Sequence, residues 1–311
     1  MSTALLHHAD CLGHVTPYGH PEQVARLEYV SRALSTDEFA PLVRVEAPLG
    51  EDAHLLLAHP QAYVTAIRNA APADETISLD PDTHMSPGSL NAALRAVGAN
   101  VKAVDMVLDG EVGNAFCATR PPGHHAEKQT PMGFCLFGNA VIAARHALRA
   151  HGLSRAAIID FDVHHGNGTQ DLVWDDADIL FASSHQSPLY PGSGKPEEQG
   201  AHGQIVNVPL PPNSDGTLFR KSYERIVFPA VEAHKPEIII ISAGFDAHRD
   251  DPLANLNLIE EDFAWATREI CRLADGLCGG RVVSTLEGGY DLDALASSAA
   301  AHVRTLMEAA K

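Results

Sequence analysis

The stretch Ile158-Ile159-Asp160-Phe161-Asp162-Val163-His164-His165-Gly166-Asn167-Gly168 places carboxylates and imidazoles at alternate positions, where a β-branched run gives way to glycine. In an extended chain every second side chain points to one face, so Asp160, Asp162 and His164 are expected to share a face at a strand end. Oxygen and nitrogen ligands held in this way suit Zn²⁺, and also Fe²⁺ or Mn²⁺. An ordinary turn with a polar cluster has the same local sequence, and this segment alone does not separate the two.

Two further segments favour the metal. Glu237 to Asp246 is an isoleucine-rich run that delivers an acid at its carboxyl end, and Asn114 to His125 is an apolar stretch closed by Pro-Pro-Gly and a histidine pair. In parallel α/β sheets functional groups gather beyond the carboxyl ends of the strands. Three segments that each bring Asp or His to such an end point to a metallohydrolase.

The elements that must position these groups alternate from about Val112 onward. Strands are expected at Val112–Thr119, Ala156–Phe161, Ile179–Ser184, Gln204–Leu210, Ile238–Ser242 and Val282–Leu286. Helices are expected at Gly138–Ala150, near Gln170–Trp174, and at Leu218–His234, Ile259–Leu277 and Leu292–Ala310. Cap-type residues at Asn213–Thr217 support the start of the third of these. The alternation predicts an α/β fold: one domain over residues 1–311, with a mainly parallel sheet and helices on both faces. The loops Gln186–His202 and Asp74–Gly88 are long for plain connections and are expected at a functional rim.

The chain resembles the zinc-dependent histone deacetylase family of the arginase/deacetylase superfamily, and looks most like its class II and bacterial amidohydrolase branch. The residues that carry this are Arg120 to His125, Gly133-Phe134-Cys135, Asp160 to Gly168, Ser242 to His248 and Leu286 to Tyr290. His20-Pro21-Glu22 followed by Arg26-Leu27 also fits. The match runs in the family's order from about His20 to Tyr290. It implies an arginase/deacetylase-type fold with a central eight-stranded sheet.

The resemblance also implies residue roles. Asp162, His164 and Asp246 match the zinc ligands, and Fe²⁺ is the alternative metal. His124 and His125 match the tandem acid/base histidines, with Asp160 partnering His124 and Asn167 partnering His125. Class II members carry Asn at the Asn167 position, where class I carries Asp. Tyr290 matches the hydroxyl that stabilises the oxyanion. Gly133, Phe134 and Tyr190 match the walls of a channel for a lysine side chain, and Asp82 matches a rim acid. Asp160, Asp162, His164, Ser183 and Ser184 match a structural K⁺ site. Leu253 stands where polyamine-selective relatives carry glutamate. The implied reaction is therefore hydrolysis of an acetyl-lysine or other acyl-lysine amide, on a peptide, a protein or a small acylated amine. Acetylpolyamine hydrolysis is the runner-up. A two-manganese ureohydrolase and a non-catalytic acyl-lysine-binding scaffold stand further back.

Composition bounds the rest. The 311 residues are 45% hydrophobic and 20% charged, as in a soluble protein with a large core. Lys plus Arg number 22 against 40 Asp plus Glu, a net charge of −18 that disfavours nucleic acid as a partner. No apolar run approaches the roughly 18 residues of a membrane span. The start, Met1 to His8, has no basic, apolar leader pattern, and His7-His8 is expected to be a polar strand end. The 5 cysteines show no zinc-type spacing, which suggests the reducing cytoplasm. A homo-oligomer is compatible with all of this.

Overall fold

The four isoleucines Ile238 to Ile241 are all fully buried, and they divide between two cores. Ile239 and Ile241 enter one cluster, Ile238 and Ile240 the other. Ala157 and Ile159 separate from Ala156 and Ile158 in the same way. This is the period-two division of a strand covered on both faces, and it explains why the sequence reads as unbroken apolar runs.

A computed structural model describes residues 1–310. Its strands are β1 (Thr3–His7), β2 (Val43–Glu46), β3 (Ile77–Ser78), β4 (His84–Met85), β5 (Asn114–Cys117), β6 (Ala156–Asp160), β7 (Ile179–Gln186), β8 (Ile205–Leu210), β9 (Ile239–Ala243) and β10 (Val282–Leu286). Its α-helices are α1 (Val24–Ala33), α2 (Asp52–Leu55), α3 (Gln61–Ala70), α4 (Ser89–Leu108), α5 (Asn139–Ala150), α6 (Asn167–Val173), α7 (Gly216–Ser222), α8 (Phe228–His234), α9 (Glu260–Cys278) and α10 (Leu292–Ala309).

Eight strands form one sheet in the order β2-β1-β5-β10-β9-β6-β7-β8, and every pairing within it is parallel. The sheet is thus wholly parallel, where the sequence suggested a mainly parallel one; β3 and β4 form a separate antiparallel pair. Residues of α1, α9 and α10 pack in one core, and residues of α3, α4 and α5 in the other. The last two strands of the chain, β9 and β10, lie between β5 and β6. That insertion brings the carboxyl ends of β5, β6, β9 and β10 side by side, and the polar motifs follow all four.

Two local expectations are corrected. The helix read as Leu218–His234 is divided into α7 and α8 by a π-type turn at Tyr223–Val227. Pro229 explains the break, because it lacks an N–H and its ring crowds the carbonyl four residues earlier. Asp215 does cap α7, accepting from the backbone N–H of Thr217 and Leu218. The second correction concerns Asp160, Asp162 and His164: β6 ends at Asp160, so strand alternation does not align them. The chain bends there, with Asp160 Oδ1 accepting from Asp162 N (3.0 Å) and Asp162 Oδ1 from His164 N (2.9 Å).

Candidate active site

The bend after β6 meets the loop after β9. His164 Nδ1 lies 3.0 Å from Asp246 Oδ2 and 3.2 Å from Asp162 Oδ1, and one ligand atom from each residue falls within 4.8 Å of the others. Backbone donors hold the carboxylates: Gly288 N to Asp162 Oδ2 (2.8 Å) and Val163 N to Asp246 Oδ1 (2.8 Å). Gly288 allows this approach, because a Cβ there would lie 2.2 Å from Asp246 Oδ2.

The electrostatics of this cluster fit a cation. Both carboxylates are completely buried, and burial together with Asp162 pushes Asp246 up to about 7. Burial alone would lower His164, but Asp162 and Asp246 raise it to about 10. Among the described residues no Lys or Arg makes an ion pair with either acid. Two carboxylates and an imidazole facing one small volume are the oxygen and nitrogen donor set of a divalent metal.

The turn after β5 supplies the histidine pair. His124 Nδ1 is 3.0 Å from Asp160 Oδ2, and His125 Nδ1 is 2.7 Å from Asn167 Oδ1. Burial opposes charge on both rings. At His124 the charges of Asp162 and Asp160 outweigh it and hold the pKa well above the ordinary value. At His125 burial is reinforced by the neighbouring His124 and His164, and the pKa falls well below it. The surroundings thus favour charge on His124 and oppose it on His125, with ring centroids 4.0 Å apart.

A cavity of about 200 Å³ opens onto these groups, lined by Asp82, His125, Gly133, Phe134, His164, Leu189, Tyr190, Leu253 and Tyr290. All five residues expected along the channel are in its wall. Gly133 has φ +55°, and a Cβ there would stand 2.3 Å from the His125 ring. Both loops singled out as rims reach the cavity, one through Leu189 and Tyr190, the other through Asp82. The Ser183 and Ser184 side chains do not join this cluster. Ser183 lies opposite Asp160 in register, but its hydroxyl is with His185 (2.9 Å), and that of Ser184 is with Tyr223 (3.0 Å).

Several supporting residues had no stated role in the sequence reading. Glu287 Oε2 accepts from Gly123 N (2.7 Å) and His124 N (3.2 Å), which fixes the histidine turn. Asp251 Oδ2 accepts from Tyr290 N (2.7 Å). Arg26 donates to Gly289 O (2.6 Å) and Glu287 O (2.5 Å) and lies 4.9 Å from the Tyr290 ring centroid. Arg26 and Arg120 share the buried Glu22, at 2.9 Å and 2.5 Å. Burial raises the Tyr290 phenol far above its usual range despite Arg26, so it stays a hydrogen-bond donor. Glu22, Arg26, Arg120 and Glu287 all sit inside motifs quoted from the sequence; their long-range partners were the hidden part.

The histone deacetylase domain model matches residues 20–306. Histone deacetylase 14, chloroplastic, of Arabidopsis thaliana is 42% identical, over 95% of this chain and 74% of that protein. A probable deacetylase of Archaeoglobus fulgidus is 37% identical, over 94% and 82%. The histone deacetylase-like amidohydrolase of Pseudomonas aeruginosa is 39% identical, over 78% and 65%. The crystal structure of the HDA15 HD domain matches with a TM-score of 0.93 at 32% identity, over 99% of this chain and 89% of that one. The chain, with its Asp-His-Asp cluster and paired histidines at the carboxyl end of a parallel sheet, belongs to the histone deacetylase family.

Proposed function

We propose that the protein is a zinc-dependent deacylase that hydrolyses the amide of an N-ε-acyl-lysine side chain. The observation that carries this reading is that His164 of the Asp162–His164–Asp246 cluster meets His125 and Tyr290 at one narrow cavity with apolar and aromatic walls. Asp162, His164 and Asp246 would hold the metal, Zn²⁺ or Fe²⁺. When bound, that ion polarises the amide carbonyl and lowers the pKa of a water.

The protein's own groups supply the remaining chemistry. Asn167 Nδ2 donates to Glu127 Oε1 (2.8 Å), so its Oδ1 faces His125 and accepts from Nδ1–H. That leaves His125 Nε2 unprotonated as the general base for the attacking water. The same nitrogen then delivers the proton to the departing amine. His124, whose charge Asp162 and Asp160 favour, adds positive potential beside this ring and makes His125 reluctant to keep its proton. Tyr290 donates its hydroxyl to the carbonyl oxygen as negative charge develops. Gly133, Phe134, Leu189 and Tyr190 pack along the aliphatic tether and exclude water.

Leu253 gives the cavity wall no countercharge for an ammonium inside a substrate chain, which favours acyl-lysine. Asp82 at the same cavity supports a second reading, acetylpolyamine hydrolysis, since a carboxylate there can meet a cation. A K⁺ site beside Asp160, Asp162 and His164 remains part of the proposal, with the two serines contributing backbone oxygens. The 5 buried, unpaired cysteines support a reducing compartment such as the cytoplasm. No described helix is long and apolar enough to cross a membrane.

Measuring kcat/KM for an acetyl-lysine peptide beside N-acetylspermidine tests the assignment. A tenfold or greater preference for the peptide is expected. The reverse preference selects the polyamine reading, and hydrolysis of neither by folded, zinc-loaded protein overturns the deacylase assignment.

A further inference from the structure

A second group of metal-ligating side chains lies on the opposite edge of the sheet. Asp105 is on the last turn of α4, His146 is on α5, and His151 is the residue that ends α5. Both helices lead directly into strands, α4 into β5 and α5 into β6. Their carboxyl ends therefore lie at the amino-terminal edge of the sheet, away from the cavity and its acids. His146 Nε2 and His151 Nε2 meet the same oxygen, Asp105 Oδ1, at 2.7 and 2.8 Å. One ligand atom from each of the three residues lies within 4.8 Å of the others.

We propose that Asp105, His146 and His151 form a second divalent transition-metal site, taking Zn²⁺ or a neighbour such as Co²⁺ or Ni²⁺. Two imidazole nitrogens and one carboxylate oxygen are a donor set suited to these ions. Zinc bonds of about 2.0–2.2 Å in a tetrahedron separate ligand atoms by roughly 3.3 Å, so the Asp105 oxygen has to withdraw by about half an ångström and the two imidazole nitrogens have to settle at the same spacing. Each imidazole also has to present an unprotonated Nε2, with its remaining proton on Nδ1. The side chains of Asp105, His146 and His151 are 32%, 12% and 20% exposed, shielded enough for order and open enough for water to complete the coordination.

His54 borders the group, its ring centroid 5.7 Å from that of His146. Its Nδ1 accepts from Glu51 N (3.1 Å), so in the neutral ring Nε2 carries the proton and is no ligand. The site thus has three protein ligands from two packed helices. It would fasten α4 to the end of α5 and take no part in the hydrolysis.

Metal counting after equilibrium dialysis of tag-free protein against Zn²⁺ or Co²⁺ tests the site. Two equivalents are expected for the parent chain, one for His146→Gln/His151→Gln with unchanged deacylase activity, one for Asp246→Ala, and none for the combination. Equal metal in the parent and the His146/His151 variant overturns the proposal. If that variant does not fold, Asp105→Asn takes its place, and two equivalents retained there overturn the proposal equally. Failure of the catalytic reading looks different: Asp246→Ala would lose no metal, while the His146/His151 variant would still lose one equivalent.

Discussion

Asn167 turns its carboxamide oxygen to Nδ1 of His125 at 2.7 Å, because its amide nitrogen is committed to Glu127 Oε1 at 2.8 Å. The carboxylate accepts only, so the amide orientation follows, and with it the tautomer of the histidine. A neutral ring protonated at Nδ1 has one basic nitrogen left, and it is the one available to the cavity.

Asn167→Ala removes the acceptor that selects this tautomer. Steady-state kinetics should show kcat lower by about 10- to 100-fold with little change in KM, the range seen when a partner orienting a site histidine is lost. An unchanged kcat would mean that the ring is oriented by something else.

Tyr290→Phe keeps the ring against Phe134 and removes only the hydroxyl. Loss of one oxyanion donor typically lowers turnover by about 10² to 10³. KM should move little, because the hydroxyl acts as charge develops. A loss confined to KM would make Tyr290 a binding residue.

Glu22 is the shared carboxylate between Arg26 and Arg120, and all three side chains are fully buried. Burial disfavours its charge, yet Arg120 holds its pKa well below the carboxylate range. Glu22→Gln leaves two buried guanidinium groups without their counter-ion, a change that costs about 3–5 kcal/mol. Denaturant unfolding should show this loss, and a loss below about 1 kcal/mol would show that the cluster relaxes or is hydrated.

His302 sets an acid limit on stability. It is fully buried, with Nδ1 at 2.6 Å from Thr267 Oγ1 and Nε2 at 2.8 Å from Ser284 Oγ. Thr267 Oγ1 already donates to Phe263 O (2.7 Å), so it accepts from Nδ1–H, and Ser284 donates to Nε2. The neutral ring is satisfied, and burial lowers its pKa from 6.5 to about 3. Between these two values the unfolded chain carries the extra proton. This contribution is complete above pH 6.5 and shrinks by about 1.4 kcal/mol per pH unit as the pH falls towards 3. Unfolding free energy measured against pH should therefore be less steep for His302→Gln than for the parent. Parallel curves would contradict the assignment.

The second half of the sheet was legible because its strands are buried on both faces. Ile238 to Ile241 and Ile158-Ile159 read as continuous apolar runs, each ending in the acid it delivers. The first half was less so: the strand expected to end at His7-His8 is β1, but β2 and the early helices were not read. β1 and β2 are short, β2 is largely exposed, and α4 is apolar over most of its length without a sharp polar face. The site residues were legible where the chemistry is local to a motif, as with Asp162 and His164. The scaffold beneath them was not, since Arg26 and Glu287 lie 261 positions apart in the chain and meet only through a backbone carbonyl. Asp105, His146 and His151 were equally hidden, because two helices bring them together and no local spacing marks them.

On the proposed reading Asp162, His164 and Asp246 hold the metal on which amide hydrolysis depends. Amine release from a fluorogenic acetyl-lysine substrate by zinc-loaded parent protein, beside folded Asp246→Ala, tests it most directly. Activity in the parent, its loss in the variant and the loss of one zinc equivalent are predicted. Full activity in Asp246→Ala, or an inactive parent holding zinc at this site, would contradict the account.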